Sequence, residues 1–223
     1  MRRFANIKSS GPALFKKKIG DLHQGIELFS VVLISLATVV SAWCGYQSAL
    51  WASEMITSYN FADAARSESV RMSNRALQLT TIDVNLFTAY VSAYSKGDDD
   101  LVDFLMARFR PEMKFAVDAW IETEPLVNLE APNSPFDMVE YQSEAQSEAD
   151  KLLNEVDEYL DLASKANERS GRYFLLTVIF ASVLFFGGIS SKFRSINIQI
   201  GLLAFSSLMF LITVIFVMTF PIL

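Results

Sequence analysis

Carboxylates are the reactive side chains that this sequence holds in quantity. Glu122 and Glu124 lie two residues apart, a pairing that general acid–base catalysis can use. In so acidic a neighbourhood such pairs also arise by chance. No nucleophile elbow, phosphate loop, HExxH spacing or redox cysteine pair accompanies them. Asp98, Asp99 and Asp100 have the composition of a calcium loop but lack its ligand spacing and its glycine. Anions favour a helix N-terminus, so this triplet is expected to cap a helix. The single histidine, His23, and the single cysteine, Cys44, have no partners for a metal set or an intrachain disulfide, and Cys44 reads as a small buried hydrophobe. The expectation is therefore no catalytic, cofactor-binding or metal residues, no cofactor and no enzyme. The densest polar cluster is Arg108, Arg110 and Glu112 around Pro111. It reads either as a docking surface or as local ion pairs beside a helix break.

The elements that carry these residues are set by hydropathy. Of the 223 residues 52% are hydrophobic and 18 are Phe, too apolar for an ordinary soluble domain of this length. Tyr173–Ser190 and Ile196–Phe220 hold no charged residue, and Ile26–Leu50 holds only Glu27. Crossing a bilayer takes about 20 helical residues, and backbone in lipid must satisfy its own hydrogen bonds, so each run is expected to be a membrane helix. A cleaved signal peptide competes for the first run, with Val40-Ser41-Ala42 as its cleavage site, but an uncleaved span is favoured. Trp43, Tyr46 and Trp51 crowd its far end as an aromatic belt does.

Charge is partitioned as sharply as hydropathy. Residues 52–171 carry 23 acidic and 10 basic side chains, whereas the remainder carries 2 acidic and 9 basic. That partition leaves no basic footprint for nucleic acid, which is not expected as a partner. Lys16, Lys17 and Lys18 precede span one, and Lys192 and Arg194 lie between spans two and three. The positive-inside rule puts both groups in the cytoplasm. The expected organisation is a basic cytoplasmic or interfacial segment (1–25), spans at 26–50, 172–190 and 196–222, a cytoplasmic turn (191–195), and an acidic helical domain (51–171). That domain and the C-terminus fall outside a multi-pass cell (inner) membrane protein. Phe15, Ile19, Leu22 and Ile26 recur on one helical face, which fits either a helix lying on the inner leaflet or an unstructured tail.

The fold class expected is all-α. Neither Gly nor Pro interrupts residues 52–95, where Met55, Tyr59, Ala62, Ser69, Ser73, Ala76, Thr80, Val84, Phe87, Val91 and Tyr94 step by threes and fours, with Arg66 interrupting. Lys96-Gly97 should end this helix, and a second should cover Leu101–Arg110 up to Pro111. After an irregular connector over 124–136, a last helix is expected from about Asp137, running through Arg172 into span two. Its three–four repeat is that of a coiled-coil seam. Ala62 and Ser69 are expected to face Ala163 and Ala166. Phe104, Phe109, Phe115 and Trp120 are expected to cover the bulky tip of the outgoing helix. The whole would be a long antiparallel helical-hairpin stalk with a small aromatic-rich head. Within the membrane, Ala37, Ser41, Gly45 and Ala49 form a small-residue stripe, with Gly187, Gly188 and Gly201 as candidate facing positions.

Ala42-Trp43-Cys44-Gly45-Tyr46-Gln47, Ala107-Arg108-Phe109-Arg110-Pro111-Glu112, Ser134-Pro135-Phe136, Phe180–Ser190 and Phe193-Arg194-Ser195 together resemble a large family of uncharacterised bacterial three-span integral membrane proteins. Cys44 stands where that family usually has Ser. The resemblance implies the architecture, with its helical extracytoplasmic insert, and a bacterial inner-membrane setting; it supplies no active site. The function expected is a non-catalytic scaffold or interaction module. Its partners would be the lipid bilayer, a second copy of the chain (a homo-oligomer) and a protein of unknown identity. The alternative is a subunit of an oligomeric channel or transporter.

Overall fold

The computed structural model describes residues 11–125 and 127–223, with side chains from His23 onward. The described residues are all-helical, without strands: α1 (Gly11–Lys96), α2 (Asp99–Met106), α3 (Pro111–Glu122), α4 (Glu144–Ser190) and α5 (Ile196–Thr219), with one 3-10 turn at Pro135–Asp137. The backbone of α1 already includes Lys16, Lys17 and Lys18, but their side chains, like the face begun by Phe15, Ile19 and Leu22, fall outside the described residues.

Local chemistry sets each boundary. At the end of α1, Gly97 takes φ +69°, the left-handed region that costs glycine nothing. The Asp98 N–H then bonds the Ala93 carbonyl and the Gly97 N–H that of Tyr94, both at 3.1 Å, a Schellman closure. Asp98 caps α2 as expected, its carboxylate accepting from the Leu101 N–H at 3.2 Å. Pro111 begins α3 at a position where no N–H is needed. The last long helix starts later than the expected Asp137. Ser143 caps it, its Oγ accepting from the Gln146 N–H at 3.3 Å, while Pro135–Asp137 forms its own short turn.

Two compact units result, one made by residues up to Ile56 with Ala163–Leu223, the other by Thr57–Leu162. In the first, α1 and α4 run antiparallel. The Ser30 hydroxyl donates to the Gly187 carbonyl at 2.9 Å, and eighteen residues further along α1 the Ser48 hydroxyl donates to that of Ser170 at 3.0 Å. The core joins Ala37, Cys44 and Trp51 to Tyr173, Leu176, Phe180 and Val183. α5 packs alongside, its Ser206 hydroxyl donating to the Val183 carbonyl at 2.9 Å. Beyond α5, Tyr173 donates to the Pro221 carbonyl at 3.2 Å, and the Leu223 N–H donates to the Gln47 side chain at 3.1 Å. Outward, Leu28, Val32, Leu36, Val39, Phe174, Leu211 and Ile215 are exposed. α1, α4 and α5 are each long and apolar enough to cross a membrane, consistent with a multi-pass membrane protein.

The small-residue stripe is not the seam this unit uses. Ala37 is fully buried, but Ser41 is half-buried and Gly45 and Ala49 are exposed. Four residues turn an α-helix about 40° past a full turn, so a strict four-residue stripe leaves the contact after two steps. Burial instead follows sevens: Ser30, Ala37, Cys44, Trp51 and, on α4, Tyr173, Phe180, Gly187. Gly187 is tightly enclosed, Gly188 meets only Ile34, and Gly201 faces open space.

The second unit holds two apolar clusters. Ala62 and Ala65 pack with Val156, and Phe61 stacks on Tyr159 at 5.4 Å between ring centres. Ser69 donates to the Ala149 carbonyl at 2.9 Å, so Ala62 and Ser69 find their partners at Val156 and Ala149, not at Ala163 and Ala166. The larger cluster gathers Tyr90, Ala93, Leu105, Phe109, Met113 and Val117. Trp120 meets Phe87 edge-on at 5.5 Å. Phe109 and Trp120 thus pack against Tyr90 and Phe87 near the end of α1. Phe104 and Phe115 do not; both are exposed, because their faces of α2 and α3 turn away from Tyr90.

Candidate functional site

The second unit contains a carboxylate with no access to solvent. Asp83 lies on α1 one heptad beyond buried Ala76 and one before Tyr90, which aims it inward. Pro111 holds Arg110 in extended backbone (φ −62°, ψ 154°), from which its side chain reaches back to α1. The guanidinium grips Asp83 side-on with two donors: Nε donates to Oδ1 at 3.2 Å and Nη2 to Oδ2 at 2.5 Å. Tyr141, just before α4, donates its hydroxyl to Oδ2 at 2.9 Å and stands 3.2 Å from Thr80 Oγ1. Glu112 approaches Arg110 at 3.5 Å, yet its buried Oε2 has no hydrogen bond, so this contact is Coulombic only.

The same unit holds two hollows, the first of them bordering the clamp at Arg110. A polar groove of about 620 Å³ is bordered by Arg75, Arg110, Glu112, Glu144 and Glu148. An aromatic cavity of about 390 Å³ lies between Tyr90, Tyr94, Trp120, Ile121 and Val127, with Glu124 at its edge. Glu124 takes φ +52°, a left-handed conformation that a non-glycine residue adopts at a cost. Its carbonyl accepts from the Val127 and Asn128 N–H groups, which closes the turn.

Of the predicted cluster, Arg110 and Glu112 come together and Arg108 does not. Arg108 lies over its neighbour Phe104, 3.5 Å from the ring centre. Lys192 and Arg194 are exposed in the turn before α5. Among the described residues no group of three or more His, Cys, Asp or Glu side chains is arranged to hold a metal ion. Asp83 accepts hydrogen bonds on both oxygens and meets no solvent, so it cannot reach a substrate proton. What the arrangement can do is tie α1, the start of α3 and the approach to α4 to one point. The three–four sequence pattern does not single out Asp83 or the aromatic cavity, and it places Tyr141 only on the apolar repeat of the last helix. The heptad step from Ala76 through Asp83 to Tyr90 is the signal that marks Asp83 as inward-facing.

The clamp makes unit stability sensitive to alkali. Burial first, then the hydrogen bond to Asp83, holds the Tyr141 hydroxyl above its usual 10, against an opposing effect from Thr80. Burial raises Tyr90 likewise, with Tyr94 and Asp118 adding to it. Above pH 10 the unfolded chain sheds these protons while the folded chain keeps them, so stability present below that pH falls as pH rises. Melting curves of Tyr141→Phe in detergent should therefore decline less steeply than wild type between neutral and strongly alkaline pH. Parallel declines would remove Tyr141 from this account.

Compared with family models, curated proteins and solved structures, the chain matches none.

Proposed function

We propose that this chain is a non-catalytic integral membrane protein that acts as a scaffold or interaction module and associates with itself. The observation that carries this reading is a set of small residues that the chain leaves unused. Gly45 has no neighbour closer than Thr177, Gly201 has none at all, and Ala49 and Ala204 are exposed. Between Gly25, Phe29, Leu203 and Ala204 runs an apolar groove of about 530 Å³. In lipid, helices associate where small residues let backbones approach, so a second copy is the occupant these faces suit. A pore through a single chain finds no support, since the hydroxyls of Ser30, Ser190 and Ser206 are all bonded to backbone carbonyls.

The second unit belongs to the same reading, as a helical-hairpin stalk with an aromatic head. Phe104, Phe115, Ile121, Val127 and Leu129 expose apolar surface outside the membrane-length segments, an arrangement typical of protein contact sites. The basic residues Lys192 and Arg194 favour a cytoplasmic turn, with the acidic unit outside the cell's inner membrane. The family resemblance favours a bacterial setting.

Cross-linking and size measurement in mild detergent test self-association. Wild type should run as a defined oligomer. Gly201→Leu with Ala204→Leu, which fills the open face without touching the internal seam, should shift it toward monomer. A wild-type chain that stays monomeric at every concentration would end this reading.

A further inference from the structure

The first unit holds a cavity of about 320 Å³ lined by Lys165, Glu168, Arg169, Arg172, Tyr173 and Phe220, with Pro221 beside them. Lys165, Arg169 and Arg172 follow one another on α4 at spacings of four and three, which places them on one helical face. The charge-free run of α4 begins at the very next residue, Tyr173. One side of this cavity is therefore cationic and the other apolar, at the point where the membrane-length segment starts.

The three cations are not equivalently engaged. Arg172 is paired with Glu168 one turn earlier. Arg169 lies over the face of Trp51, its carbon 4.4 Å from the ring centre, and that face is its only described partner. A cation–π contact uses the guanidinium's charge but not its N–H donors, which can still serve a planar or tetrahedral oxyanion. Arginine is the side chain best shaped for bidentate phosphate binding. The lining thus offers three cationic side chains and one carboxylate, the carboxylate already engaged by Arg172.

We infer that this cavity binds the phosphate headgroup of an anionic phospholipid, with Arg169 as the principal ligand. The phosphodiester meets the cationic wall, and the glycerol and acyl chains continue along Tyr173, Phe220 and Pro221. A lipid suits the site better than a soluble phosphate because half the lining is apolar and continues into the membrane-length helices. An anionic headgroup suits it better than phosphatidylcholine, whose ammonium would be repelled by the Arg169 guanidinium.

The full chain, purified in mild detergent and supplied with equal amounts of phosphatidylglycerol and phosphatidylcholine, tests this by native mass spectrometry. Wild type should retain phosphatidylglycerol in preference. Arg169→Gln should cut that preference about fivefold, the usual effect of one basic residue at a membrane surface. Glu168→Gln should raise retention by a similar factor, a gain that misfolding cannot imitate. Arg71→Gln, on an exposed face of the other unit, should change nothing. Equal retention of the two lipids by wild type, or an unchanged preference in both Arg169→Gln and Glu168→Gln, would overturn the proposal. A second arm adds inorganic phosphate without lipid and follows thermal melting. Stabilisation by phosphate matching that by phosphatidylglycerol would identify a soluble phosphate ester as the ligand and refute the lipid assignment.

Discussion

Asp83→Ala will destabilise the second unit by about 3–5 kcal/mol, because deleting one member of a buried ion pair strands the other. Asp83 is fully buried and Arg110 retains only 24% side-chain exposure. Removal of the carboxylate leaves two guanidinium donors and the Tyr141 hydroxyl without their acceptor. The loss therefore belongs to the orphaned groups as much as to the missing attraction. Asp83→Asn keeps an acceptor but surrenders the charge, so it should fall between Ala and wild type. Pairing Asp83→Leu with Arg110→Met removes both charges and fills the space, and should recover much of the loss. The comparison forms a double-mutant cycle, whose coupling term separates the pair from the packing around it. Near-ultraviolet circular dichroism of the full chain in detergent, followed through thermal unfolding, reads the result. An Asp83→Ala protein that melts with wild type would show that this pair holds nothing together.

The same residue marks the limit of what the sequence discloses. The three membrane-length runs, Gly97, the Asp98 cap and Pro111 as the break before α3 are written locally, since each depends on a few neighbouring residues. Asp83 is different. Its partners lie 27 and 58 residues downstream, and an isolated aspartate in a helix reads as solvent-facing until they are known. Following fours from Ala76 to Thr80 and Val84 carried the seam off its face, whereas sevens hold it at Ala76, Asp83 and Tyr90. The start of α4 is also written locally. Ser143-Glu144-Ala145-Gln146 has the spacing of a capping box, a stronger signal than the apolar repeat that placed the start near Asp137. Phe104 and Phe115 show the opposite failure. Composition nominated them for the core, but orientation on short helices, which composition cannot give, turned them out.

Gly187 carries the second large effect, in the membrane-length bundle. A Cβ placed there would stand 3.3 Å from the Ser206 Oγ and 3.4 Å from the Ile34 Cγ1, so neighbours on two other helices would have to give way. The glycine carbonyl also accepts from Ser30 on α1 at 2.9 Å, a contact that close approach of the helices permits, and from Ser190 one turn on at 2.6 Å. Gly187→Ala asks for a few tenths of an ångström and should cost little. Gly187→Leu should cost about 1–3 kcal/mol in overpacking. It should also cost roughly 0.6 kcal/mol for the interhelical hydrogen bond from Ser30 that separation breaks. Ile34→Ala opens the same space from α1 and should restore part of the loss in Gly187→Leu while destabilising the wild-type background. That reversal of sign identifies direct steric contact, since a substitution acting through general helix propensity would be indifferent to Ile34. Gly201→Leu is the control on α5: it meets nothing within 4 Å in the chain, so its effect should appear in oligomer size and not in the melting of the monomer. Equal thermal losses for Gly187→Leu and Gly201→Leu would contradict the division between a packed internal seam and an open outer face.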